Sequence, residues 1–108
     1  MRIDPGQLRT ELTLQVMTPQ SDGAGGHAEQ WNDVASVWAL VEPAAARDRF
    51  GADQRLPELT HRVTIRFRGD VRGGMRFAWG GRTLVIRTAH DPDETGRFLL
   101  CRTEEEGR

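Results

Sequence analysis

The stretch MRFAWGGRTLVIRT, Met75 to Thr88, carries the first decisive pattern of the chain. Met75, Phe77 and Trp79 fall on alternate positions, as in a strand with one face against a core. Gly80-Gly81 then supplies the two residues of a tight hairpin turn. On the return run, Leu84 and Ile86 face the same core. This is a β-hairpin, not a helix.

The same period recurs outward along the chain. In ELTLQVM, Leu12, Leu14 and Val16 point one way while Thr13 and Gln15 point the other. HRVTIRFR places Val63, Ile65 and Phe67 inward and four residues outward: Arg62, Thr64, Arg66 and Arg68. Val34 to Val41 is almost continuously apolar, which predicts a strand covered on both faces, Trp38 included. RFLLCRT supplies the last strand through Phe98 and Leu100, after the turn DPDETG. Six short strands joined by glycine-rich turns predict an all-β fold, a small antiparallel barrel or sandwich.

Two segments add residues without building core. Residues 18–30, dense in glycine, read as a flexible loop that includes Asp22, Gly23, Gly25, Gly26 and His27. Glu42 to Leu59 is a long insertion whose alanines predict one short helix, ended by Gly51. Insertions of this length in a compact domain are often functional. The chain ends in an acidic tail, residues 103–108.

With 108 residues, 37% of them hydrophobic, the chain is expected to form a single domain with a thin core. Its one cysteine, Cys101, allows no internal disulfide and fits a reducing compartment. MRIDPGQLRTEL has no apolar core of a signal peptide, and no apolar run reaches the roughly 20 residues of a membrane span. A soluble protein of the cytoplasm, or of a particle assembled there, is expected, with no membrane partner.

Catalytic chemistry finds little support. The glycine loop lacks the Lys-Ser/Thr ending of a phosphate-binding loop, and a strand follows it where a helix is needed. His90, Asp91, Asp93 and Glu94 are metal-ligand types, on which a metal-dependent hydrolase would have to be built. However, Asp-Pro-Asp-Glu-Thr-Gly is also an ordinary turn, and no second ligand cluster accompanies it. Cys101 reads as a buried, inert thiol. His27 and His61 lack a nucleophile partner, and Ser21 and Ser36 have no catalytic context. No enzyme activity and no cofactor are expected.

Charge is unevenly distributed although the net charge is only -1, and all fifteen basic residues are arginines. His61 to Arg87 holds seven arginines against one acid, Asp70, whereas Asp91 to Arg108 holds six acids against three arginines. A face built on Arg62, Arg66, Arg68, Arg72 and Arg76 would suit a nucleic-acid-binding β module. A dipolar subunit whose basic face meets a neighbour's acidic tail is a second reading, and solvated strands with a frayed end are a third.

The order of the motifs adds what pattern alone does not. PGQLRTELTLQ, the glycine loop with Asp22-Gly23 and Gly25-Gly26, Trp31, VWALVEP, ELTHRVTIRFR, MRFAWGGRTLVI and DPDETGRFLLC follow one another from Pro5 to Arg102. In this the chain resembles the phage head–tail joining, or head-closure (stopper), family; the final TEEEGR matches no motif of it. The resemblance implies a structural β-barrel subunit of a virion or phage-like particle. Such subunits form a ring with copies of themselves below the portal and adaptor, close the DNA-filled head and receive the tail. By position, Asp22–Gln30 and Glu42–Leu59 would be the segments that reach the channel, its DNA or neighbouring rings. Asp22, Gly23, Gly25, Gly26, His27, Arg47, Asp48, Arg49 and Phe50 are then the candidate contact residues.

Overall fold

The computed structural model describes the whole chain except residues 1–2, 22, 24, 45–58 and 108. Six strands follow one another: β1 Thr10–Ser21, β2 His27–Pro43, β3 His61–Arg66, β4 Arg76–Trp79, β5 Arg82–His90 and β6 Phe98–Glu105. They close into an antiparallel barrel in the order β1-β2-β3-β6-β5-β4. The expected all-β class holds. A 3-10 turn at Pro5–Gln7, capped by Asp4, precedes β1. The expected helix within Glu42–Leu59 lies outside the described residues.

The barrel interior is filled from all six strands. Leu12 and Leu14 (β1), Val37 and Ala39 (β2), Val63 and Ile65 (β3), and Phe77 (β4) are buried in one cluster. Leu84 and Ile86 (β5) and Leu99 and Cys101 (β6) complete it, together with Met75 just ahead of β4. The Gly80–Gly81 turn joins Trp79 to its partner Arg82, with φ of +58° at Gly80, where a type II′ turn needs a positive value. A closer constraint sits at Gly73, where a Cβ would stand 2.8 Å from the carbonyl oxygen of Arg87. Gly74 N–H then bonds the Ile86 carbonyl at 2.9 Å, so glycine lets the chain pass tightly under the irregularity between Ile86 and Thr88.

Four expectations need correction. The β1–β2 ladder continues to Ser21↔His27, so most of the stretch 18–30 is strand and the turn at its tip is much shorter. Strand β2 is not covered on both faces along Val34–Val41: Val34 and Trp38 are exposed, while Val37 and Ala39 are buried. Trp38 pairs with Glu11 and therefore shares that residue's outward side. Phe67 does not face the core either, because β3 ends at Arg66 and the side chain is 44% exposed. In β6 the interior positions are Leu99 and Cys101, opposite Ile65 and Val63; Phe98 and Leu100 are buried on the other face.

These placements separate two aromatic substitutions. Phe77→Ala, in the barrel centre, is expected to cost about 3–5 kcal/mol. Trp38→Ala, at a site 56% exposed, is expected to cost about 1 kcal/mol or less. Urea denaturation of the two variants checks this; equal losses would contradict the strand register.

Candidate assembly interface

Beyond the barrel, β1 and β2 continue together. Strand β1 pairs with β4 only from Thr13 to Gln15, and β2 pairs with β3 only from Ala39 to Pro43. Residues 16–21 and 27–32 therefore pair with each other alone and form a two-stranded arm. Six residues per strand give it a reach of roughly 20 Å. Short polar links brace it: Asn32 Nδ2 donates to Thr18 Oγ1 at 2.8 Å, and Thr18 Oγ1 to the Gln30 carbonyl at 3.4 Å. Gly23 and Gly25 turn the tip with φ of +80° and +86°, values that side-chain-bearing residues adopt only with strain.

The base of the arm is pinned by one cationic cluster. Arg76 Nε donates to Gln15 Oε1 at 2.7 Å, and Gln15 Nε2 donates to Asp33 Oδ1 at 2.8 Å. The Arg76 guanidinium lies 4.0 Å above the Trp31 ring, a cation–π contact that ties β4 to β2 at the start of the arm. It also stands 3.9 Å from Glu106 Oε1.

The remaining arginines are largely neutralised within the chain. Arg82 forms a two-pronged bond to Glu105 at 2.8 and 2.9 Å and stacks 4.2 Å over Trp79. Arg87 bonds Glu104 at 2.7 Å, Arg62 bonds Glu42 at 3.4 Å, and Arg68 grips Asp70 at 2.9 and 3.1 Å. Arg72 reaches the Asp70 carbonyl at 3.4 Å. Antiparallel pairing of β5 with β6 brings the acidic tail onto its own basic strand, so Glu104 and Glu105 end β6 as ordered residues. Topology also separates the three candidate arginines that lie on strands. Strands β3 and β4 are diametrically opposed in the ring order, so outward-facing Arg62 and Arg66 lie on one side of the barrel and Arg76 on the other. Asp22 and the group Arg47, Asp48, Arg49 and Phe50 lie outside the described residues.

The acidic turn is built as a turn. Asp91 Oδ2 accepts the Gly96 N–H at 2.6 Å, and Asp93 Oδ1 accepts the Thr95 hydroxyl at 2.7 Å. Among the described residues, no three His, Cys, Asp or Glu side chains gather where they could share a metal ion. Burial pushes the Cys101 thiol up to about 12, which keeps it protonated and unreactive.

An outward aromatic groove escaped the sequence reading. Trp38, Phe67, Arg66, Arg68, Ser36 and Val37 line a depression of about 310 Å³. Its one sequence signal is Ser36, whose parity with Trp38 marks that face of β2 as the wet one; Ser36 Oγ donates to Glu11 Oε2 at 2.7 Å.

A family model described as phage head completion protein matches residues 3–106. The chain belongs to that family. Its role is therefore structural and its place is the virion, in the head of a phage or phage-like particle. The head completion chain is similar to a component of the virion of a native gene transfer agent particle. That likeness has a TM-score of 0.66 at 25% identity, covering 91% of this chain and 93% of the other. It is also similar to protein SF1141 from Shigella flexneri 2a, with a TM-score of 0.75 at 27% identity over 98% and 99% of the two chains. No curated protein matches it.

One titratable group at the barrel end offers a check. Burial, and then the nearby charge of Arg82, hold the His61 imidazole below its ordinary value of 6.5, with Glu105 opposing. Its ring meets Trp79 edge-on at 6.1 Å, and Nδ1 lies 2.9 Å from Thr60 Oγ1. The unfolded chain thus binds this proton at a higher pH than the folded one. Stability from this site is complete above the unfolded value and is lost as pH falls through it towards the lower folded value. His61→Gln should flatten the dependence of unfolding free energy on pH as pH falls below the ordinary imidazole value of 6.5; an unchanged slope would contradict the assignment.

Proposed function

We propose that this head completion protein is the subunit of a closed ring that seals the DNA-filled head below the portal and adaptor and offers the tail its docking surface. The observation that carries the reading is the arm. A closed barrel leaves no free sheet edge for association, whereas a lone two-stranded ribbon is marginally stable in water and is stabilised by a partner. A particle protein of this family with such an arm is well suited to reach across a subunit boundary or into the channel. Ordering the tip on contact costs conformational entropy, which the interface then offsets.

A free-standing nucleic-acid-binding module is less well supported. Three of its five arginines, Arg62 and Arg66 on β3 and Arg76 on β4, lie on opposite sides of the barrel, and four of the five are tied to carboxylates or carbonyls. Contact with packaged DNA remains part of the ring reading only where a guanidinium lines the channel.

The arm can be shortened without touching the barrel. Removing residues 18–30 and joining Met17 to its partner Trp31 through Asn-Gly keeps the register of the remaining hairpin. The variant is expected to fold cooperatively, yet to give heads that lose DNA beside free tails in electron micrographs. Intact, DNA-filled tailed particles at the wild-type yield would refute the proposal.

A further inference from the structure

The groove around Trp38 has chemistry complementary to the arm. Trp38 and Phe67 are 56% and 44% exposed and share one concave patch, and clustered exposed aromatics mark contact sites. Of the two arginines that flank them, Arg68 is held by Asp70. Arg66 has no hydrogen-bond or ion-pair partner among the described residues, so its planar fork is open to a carboxylate.

The arm has the reverse character. From Val16 to Asp33 it contains no arginine. The pairs Met17↔Trp31 and Pro19↔Glu29 are two apart, so Met17, Pro19 and Glu29 stand on one face of the ribbon. Met17 is 37% exposed, and Glu29 is exposed without a partner among the described residues. A thioether and a proline ring suit aromatic surfaces, and a carboxylate beside them suits a guanidinium.

We propose that the arm of one copy docks into the Trp38–Phe67 groove of a second copy, with Met17 and Pro19 on the aromatic rings and Glu29 on Arg66. Arm and groove are different surfaces of the same chain, so the contact is head-to-tail and repeats until a ring closes. The inference rests on the ring reading above and gives it an interface.

Charge reversal tests it in assembled particles. Glu29→Arg and Arg66→Glu change exposed side chains, and circular dichroism of each purified variant verifies the fold. Each alone is expected to lower the yield of DNA-retaining particles by about ten-fold or more, since like charges then meet in the contact. The double variant is expected to restore the yield to near wild type. Single variants at the wild-type yield, or a double variant no better than the singles, would overturn the pairing. If the shortened-arm variant still fails in that case, the ring reading stands while this one falls. Benzoylphenylalanine in place of Phe67 gives a second readout. Cross-links to residues 17–31 of another copy are expected, and cross-links solely to a different particle protein would overturn the choice of partner.

Discussion

The barrel is closed by a short seam. Strand β1 meets β4 through three residue pairs, Thr13↔Ala78, Leu14↔Phe77 and Gln15↔Arg76. Without them the sheet would be open, and β1 and β4 would be exposed edges prone to pairing with other chains. The seam is held from inside by Leu14 and Phe77, both fully buried. From outside it is held by Arg76, which joins Gln15, Asp33 and Trp31 in one cluster. The register shift between Leu14 and Gln15 falls at the same place. One locus therefore ends the barrel and starts the arm, and a change there alters stability and reach together.

Charge supports the same division between a stable body and a reactive extension. In a chain whose basic residues are all arginine, most of the described guanidinium groups are matched to a carboxylate, a carbonyl or a ring of the same molecule. Such exposed pairs contribute little stability individually. Among the described residues the arginine that remains unmatched is Arg66, beside Trp38 and Phe67.

Where an apolar position alternates with a polar one inside a strand, the core is legible in the sequence; Phe67 continues the alternation of β3 past its end and is exposed. Leu12 and Leu14, Val63 and Ile65, Phe77, Leu84 and Ile86 were all readable, as was the Gly80-Gly81 hairpin. Where apolar residues ran together, parity was lost. In VASVWALV both faces look largely apolar; Ser36 is the one hint of the wet side, and the pairing of Trp38 with Glu11 decides it. FLLC hides its register in the same way: Leu99 and Cys101, not Phe98 and Leu100, point inward. In the sequence the arm looks like a loop because its threonine, proline, glutamine and alanine carry no burial signal; their order comes from pairing with each other. The meeting of the acidic tail with Arg82 and Arg87 depends on long-range strand pairing, which local pattern does not encode.

The most direct test of the central claim is a cryo-electron microscopy reconstruction of the head vertex of purified particles that contain this chain. The expected result is a closed ring of barrels below the portal, with β1–β2 arms bridging from each subunit to the next or into the channel. Barrels absent from the vertex, or present with arms that touch nothing, would contradict it.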